Sequence, residues 1–450
     1  MNLTIDSNVK NIIFNGNDIE ELIFNGNTVW TKTAPNYALM DLTFQILTDG
    51  TITFTSVSND YVASLNYTIT SVAGHAGSTG TITSSTTGAS LNLYTGQKIS
   101  FHGSASTWNI NVTNHVYFGG TATFNAYGNA SSVYAGTNSL ENGAYDLMYL
   151  SGLFKNCTGI ISAKNLYLFN YDNTNLGYQY DNTYKEMFYK CSNLTDPPEI
   201  IKGKKYSTED IPFTVLTGMF YGMFTQCTKI TKTPVMNIST INASGCRNMF
   251  SGCTSLKDSY ITFNDRGSSS VGNYGCSAMF YNCTKLENLN ITELPYIKIG
   301  RNAYANMYRG AKIVRAPEIK ANNLNNGQQS MYSMFYNCSS LKYGPSKLYA
   351  TTLTNRCYYI MFYGCISLET APILPATTLV SECYEQMFDR CNKLNYIKAL
   401  FTTTPSDTYT KNWVRHVSAS GTFVKNSSAS WSVTGTNGIP SGWKVQTVSS

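Results

Sequence analysis

Charge is scarce in this chain of 450 residues: Asp, Glu, Lys and Arg make up only 13% of it, about half the usual share. The net charge of +6 is spread along the chain without a block of like charges, so the electrostatic footprint of a nucleic-acid binder is missing. No run of about eighteen apolar residues occurs, and no membrane insertion is expected. Met1-Asn2-Leu3-Thr4-Ile5-Asp6-Ser7 offers no basic segment followed by an apolar one, so nothing marks export.

Catalytic signatures are equally thin. The chain has no Gly-x-Ser-x-Gly, no phosphate-binding loop and no His-Glu-x-x-His, the commonest marks of hydrolase, nucleotide and metalloprotease chemistry. The expectation is a protein that is not an enzyme. A polysaccharide depolymerase is the catalytic alternative, because a glycosidase needs only two acids about 5–10 Å apart. No Cys-x-x-Cys occurs, and His75, His102, His115 and His416 lie outside the repeats described below, so neither a metal nor a cofactor is expected. Asp172-Asn173-Thr174-Asn175-Leu176-Gly177 lacks the third oxygen ligand and the terminal Glu of a calcium loop and reads as an insertion.

What fills the gap is Asn, Ser, Thr, Gly and 33 Tyr, a polar rather than ionic surface. The length predicts several units. Residues 1–32 hold a near-duplicate, Ile12-Ile13-Phe14-Asn15-Gly16-Asn17 and Leu22-Ile23-Phe24-Asn25-Gly26-Asn27, two β-prone runs each ending in an Asn-Gly turn. So small a sheet cannot stand alone and reads as a β-hairpin anchor, with Phe14, Phe24 and Trp30 as its docking residues. Residues 33–128 alternate in short runs, Leu42-Thr43-Phe44, Ile52-Thr53-Phe54, Leu65-Asn66-Tyr67, Leu91-Asn92-Leu93, Ile99-Ser100-Phe101, Ile110-Asn111-Val112 and Thr123-Phe124-Asn125. Period-two patterning between turn signals predicts an all-β sandwich.

From 129 to 400 the chain repeats itself every 26 to 36 residues around Met-Phe-x-x-Cys-x-x-Leu. The copies are centred on Phe154/Cys157/Ile160, Phe188/Cys191/Leu194, Phe224/Cys227/Ile230, Phe250/Cys253/Leu256 and Phe280/Cys283/Leu286. Tyr308/Ala311/Val314, Phe335/Cys338/Leu341, Phe362/Cys365/Leu368 and Phe388/Cys391/Leu394 complete the series. Asn156, Gly252, Asn282, Gly310, Asn337 and Gly364 precede the cysteine position, and such residues tolerate the left-handed conformation that closes a helix. Each repeat is therefore expected to be a helix ending at Met-Phe, a turn, and a short strand such as Ala316-Pro317-Glu318-Ile319, Pro345-Ser346-Lys347-Leu348 or Ala371-Pro372-Ile373-Leu374. The repeat cysteine packs against the last helical turn, and Cys246, Cys276, Cys357 and Cys383 lie one turn earlier on the same face. Pairing of Cys246 with Cys253 is open geometrically, although cytoplasmic synthesis favours buried thiols. A repeat cannot bury its own apolar face, so the stack forms one solenoid core. Residues 401–450, with Trp413, Trp431 and Trp443, break the period and read as a C-terminal cap.

The fold expected is thus multi-domain: a small N-terminal β anchor, an all-β sandwich, and an α/β leucine-rich-repeat-like solenoid of about nine repeats with a cap. Tyr189, Tyr281, Tyr336 and Tyr363 share the position after Met-Phe and are the candidate ligand-binding stripe, offering ring faces and hydroxyls. The plainer alternative is packing between successive turns with only the hydroxyl exposed.

Taken with Gly50-Thr51-Ile52-Thr53-Phe54, Gly421-Thr422-Phe423-Val424-Lys425 and Gly438-Ile439-Pro440-Ser441-Gly442-Trp443, these repeats resemble BspA-like leucine-rich repeat proteins over residues 37–450. The resemblance implies a surface adhesin of the kind found in gut and oral Bacteroidetes, or a fibre protein of a phage, crAss-like ones included, that infects those bacteria. Without an export signal, the virion setting is the first expectation. Its partners would be capsid or tail proteins at the N-terminus and a host surface glycan or envelope protein elsewhere, with the chain a homo-oligomer and a trimer among the options.

Overall fold

The computed structural model describes residues 40–57, 63–103, 116–135, 150–170, 181–202, 212–265, 270–324 and 327–449, and four short strands before them. Those four are β1 (Ile12–Phe14), β2 (Asn17–Ile19), β3 (Glu21–Phe24) and β4 (Asn27–Thr31). They pair antiparallel as β1 with β2 and β3 with β4. Asn15-Gly16 and Asn25-Gly26, between the paired strands in sequence, lie outside the described residues. The hairpins form two separate two-stranded sheets instead of one. Phe14, Phe24 and Trp30 fall on these strands, but their side chains lie outside the described part, as do Ile110–Val112 and Asp172–Gly177.

The alternating runs do fold as a sandwich. Its strands are β5 (Leu42–Ile46), β6 (Gly50–Ser56), β7 (Ser64–Ile69), β8 (Ser78–Thr83), β9 (Ala89–Leu93), β10 (Lys98–Gly103), β11 (Val116–Gly120) and β12 (Phe124–Asn129). Two more strands, β13 (Ile160–Asn170) and β14 (Glu199–Lys202), belong to the first two repeats. They extend one sheet to seven strands, in the order β14-β13-β12-β5-β10-β7-β8, opposite a sheet ordered β11-β6-β9. Phe44, Phe54, Phe101, Phe118 and Phe124 are wholly buried between the sheets. Phe44 and Phe118 also meet Phe154 of the first repeat, at 5.8 and 6.0 Å between ring centroids. The sandwich therefore covers the first turn of the solenoid, and a single hydrophobic cluster runs through both.

The repeats form a β-solenoid of about nine turns, and here the helical expectation is corrected. Among the described residues, the only helices are Ser132–Ala135 and Asp407–Thr410, both outside the Met-Phe segments. Each Met-Phe segment is a ribbon of overlapping turns. In the repeat ending at Cys283, the amides of Ser277, Met279, Tyr281 and Cys283 each donate to the carbonyl three residues back, at 3.1–3.2 Å. The alternate amides of Tyr274, Cys276, Ala278, Phe280 and Asn282 donate instead to Arg301, Ala303, Ala305, Met307 and Arg309 of the next repeat, at 2.8–2.9 Å. Every fourth residue has positive φ, as at Tyr274 (58°), Ala278 (53°) and Asn282 (54°), which is what the third residue of a type II turn requires. All 22 non-glycine residues with positive φ among the described residues lie on these ribbons. Each costs roughly 1 kcal/mol in that conformation. In the twenty of them from Asn156 to Arg390, the cross-repeat bond made by the same residue's amide offsets it by about 0.5–1.5 kcal/mol.

The left-handed residue before the cysteine position is therefore real in every repeat, including Lys190, Gln226 and Arg390, but it closes a turn of the ribbon and not a helix. A four-residue ribbon buries positions i, i+3, i+4 and i+7, as at Cys276, Met279, Phe280 and Cys283. Over two turns this stripe coincides with that of a helix of period 3.6.

Inside the solenoid the aromatic of each repeat stacks on the next. From Phe154 through Phe188, Phe224, Phe250, Phe280, Tyr308, Phe335 and Phe362 to Phe388, the rings lie 5.2–5.6 Å apart and within 12° of parallel. The cysteine beside this ladder does more than pack. The Cys283 thiol donates to the Phe250 carbonyl at 3.1 Å, and Cys191, Cys227, Cys253, Cys338, Cys365 and Cys391 each do the same one repeat back. All twelve cysteines are buried and free, so Cys246 and Cys253 are not paired.

Two register readings also change. Ile313, fully buried, takes the leucine position of the sixth repeat, while Val314 is 48% exposed, because that repeat is one residue shorter after Ala311. The tail continues the solenoid where a break in the period was expected. Tyr384, Gln386, Phe388 and Arg390 donate to Tyr409, Lys411, Trp413 and Arg415, and Asn412 and His416 have positive φ. Tyr396–Ala399, Thr422–Asn426 and Lys444–Val448 then pair in parallel. Trp413, Val414 and Val417 stand where Met, Phe and Cys stand elsewhere, which hid this turn from the motif. The strands expected after the leucines are present as parallel pairings of Ile319 with Leu348, Lys347 with Ile373 and Leu374 with Ala399.

Two stability effects follow from single side chains. Tyr308 replaces Phe in the ladder, and its hydroxyl is buried without a hydrogen-bond partner. Tyr308→Phe is expected to raise stability by about 1 kcal/mol, read as a higher urea midpoint with an unchanged slope. Asp389 is fully buried and takes the Arg415 guanidinium at 2.5 Å and His416 Nδ1 at 3.1 Å, tying the tail to the ninth repeat. Arg415→Ala leaves that carboxylate short of its main partner. Because Arg415 is a third exposed and His416 remains, the expected loss is about 2 kcal/mol, visible as earlier unfolding of the tail in hydrogen exchange.

Candidate binding surface

Alternate ribbon positions that do not face the core form columns along the solenoid. Tyr281, Arg309, Tyr336 and Tyr363 occupy one column, two residues before the cysteine position. Tyr336 stacks on Tyr363 at 4.8 Å and 4°, and the Arg309 guanidinium lies between Tyr281 and Tyr336, at 5.6 and 4.2 Å from their ring centres. Four residues upstream, Tyr332 and Tyr359 stack at 5.5 Å and 7°. The two columns give a two-by-two tyrosine grid, all four partly exposed, flanked by Arg356 and Arg390.

Of the four tyrosines singled out from the sequence, Tyr336 and Tyr363 are brought together and Tyr281 joins them through Arg309. Tyr189 does not. Thr225 and Ser251 separate it from Tyr281 in the column, and it lies between the ammonium groups of Lys155 and Lys190. The stacking also alters what the stripe offers. At least one face of each ring is turned to a neighbouring ring or to an arginine, so a partner meets chiefly edges and hydroxyls. Tyr332 and Tyr359 were missed, although Tyr332/Tyr336 and Tyr359/Tyr363 repeat the four-residue spacing of the ribbon.

Below the grid, Glu382 is held by a two-bond contact with Arg356, at 2.7 and 2.9 Å. Burial, and then the neighbouring Glu382 charge, push the Glu385 carboxyl above its usual range. Among the described residues no cluster of His, Cys, Asp or Glu could hold a metal, and no helix is long and apolar enough to cross a membrane.

A stack of cross-bonded turns with aligned side-chain columns defines a β-solenoid repeat protein. The chain matches the family described as "Mycoplasma protein of unknown function, DUF285" over residues 149–294, 217–347 and 274–400. These overlapping stretches run from 149 to 400, more than half of the chain, and the chain belongs to that family. No curated protein and no solved structure matches it.

Proposed function

We propose that this chain is a non-enzymatic attachment protein whose solenoid binds a glycan or envelope protein on a bacterial cell. The observation that carries this reading is the grid formed by Tyr332, Tyr336, Tyr359 and Tyr363, continued by Arg309 and Tyr281. Tyrosine and arginine supply contact area and hydrogen bonds with little rotamer entropy to lose when their neighbours already fix them. A periodic open surface suits weak contacts multiplied over several copies, so a homo-oligomer, trimeric in a fibre, is part of the proposal. In a virion, residues 1–32 would dock to capsid or tail proteins through Phe14, Phe24 and Trp30, and the sandwich would space the solenoid from the particle. The matched family is named for a cellular organism, which supports the bacterial surface as the second setting.

The test is binding of fluorescent protein to intact Bacteroidetes cells. Substitution of Tyr332, Tyr336, Tyr359 and Tyr363 together by Ser is expected to weaken binding at least tenfold while the far-ultraviolet spectrum stays that of the parent. Unchanged binding by the folded variant overturns the reading. Cryo-electron microscopy of particles carrying the chain separates the settings, since a fibre anchored by residues 1–32 supports the virion and its absence supports the cell surface.

A further inference from the structure

The outer face of the seven-stranded sheet carries chemistry that the solenoid reading does not use. Alternation along β5, β10 and β12 turns Leu42, Phe44, Ile99, Phe101, Phe124 and Ala126 into the core. The residues between them lie on the opposite face of the sheet, where Thr43 is nonetheless buried. The pairing register sets Lys98 opposite Gln45, Gln45 opposite Asn125, and Asn125 opposite Ser162, a polar row across four strands. A second row runs Ser100, Thr43, Tyr127 and Asn165.

Between β12 and β13 the register shifts twice, at Phe124/Asn125 and Asn125/Tyr127. Such irregularities bend a strand and re-aim its side chains. Here they accompany a cleft of about 230 Å³ where the sandwich joins the solenoid. Gln45, Asn125 and Asn165 bring amides to it, Lys98 and Lys164 bring ammonium groups, and no carboxylate is among the lining residues. Lys98 and Lys164 are exposed, and neither has a carboxylate within ion-pair distance among the described residues. Met40 adds apolar surface.

We infer that this cleft is a binding site for an acidic polysaccharide, a uronate-bearing chain whose carboxylates meet Lys98 and Lys164 while its hydroxyls meet Gln45, Asn125 and Asn165. Two cations without a compensating acid select an anion, and the amides select a ligand dense in hydroxyls. The site goes beyond the tyrosine grid and stands or falls separately from it.

The experiment is affinity electrophoresis of the full chain through native gels containing polygalacturonate, with dextran gels as the neutral reference. The parent is expected to be retarded by polygalacturonate at 0.15 M salt and not by dextran. Lys98→Ser with Lys164→Ser is expected to weaken retardation at least fivefold, Lys98→Arg with Lys164→Arg to restore it, and the equal-charge control Lys285→Ser with Lys393→Ser to match the parent. Equal loss in both Ser pairs would show diffuse charge and overturn the site. So would unretarded migration of the parent, or equal competition by single-stranded DNA. The tyrosine variants are expected to be retarded like the parent, so failure of the cleft and failure of the grid give different results.

Discussion

Above about pH 9 the protein is expected to unfold within roughly one further pH unit. Burial pushes the thiols up, Cys157 to about 11 and Cys338 and Cys383 to about 12. Cys191, Cys227, Cys253, Cys276, Cys283, Cys357, Cys365 and Cys391 also rise, burial again being the largest cause. In the unfolded chain a thiol ionises near pH 8.5. Below that pH both states hold the proton and stability is full. Above it only the unfolded state releases protons, so stability falls as pH rises towards the folded values. At pH 10 each such thiol costs roughly 2 kcal/mol of stability, and eleven together exceed the typical stability of a domain, about 5–15 kcal/mol. Urea midpoints measured from pH 7 to 11 check this. A midpoint flat to pH 10.5 would mean that the thiols are not buried as described. At pH 8 the native protein is expected to leave a thiol reagent almost unreacted, with all twelve cysteines reacting on denaturation.

Phe280→Ala is expected to cost about 4 kcal/mol, the scale for truncating a fully buried aromatic. Phe280 is wholly buried between Phe250 and Tyr308, 5.6 Å from each. In a repeat array each unit is held chiefly by its neighbours, so a gap here weakens the coupling between the two halves of the solenoid. Denaturation should then separate into two phases, the segment beside the sandwich and the segment beside the tail. Tyr336→Ala, in an outward column, should cost less than about 1 kcal/mol, the range for a surface position. Comparable losses at Phe280 and Tyr336 would contradict the assignment of inside and outside.

The sequence carries the solenoid plainly, because Phe and Cys must recur wherever one repeat stacks on the next. It carries the sandwich too, since period-two alternation has no competing interpretation there. The ribbon was hidden because Cys276, Met279, Phe280 and Cys283 satisfy helical spacing as well as a four-residue period. The clue against a helix lay on the other side. Left-handed positions recur every fourth residue, but Lys190, Arg356 and Ile360 occupy some of them, and those residue types give no such warning. Tyr336 and Tyr363 were legible as one column. Arg309 fills the same position in the sixth repeat, directly after Tyr308, and was passed over because the stripe was drawn from tyrosines alone. Asp389 was hidden, since nothing local marks a carboxylate whose partner lies 26 residues ahead at Arg415.

The most direct test of the account is the far-ultraviolet circular dichroism spectrum of the purified chain. The ribbon architecture predicts a spectrum of strand and turn without the paired minima near 208 and 222 nm that mark α-helix. A helical double minimum large enough for one helix in each of nine repeats would contradict it, and with it the columns on which the binding surface depends.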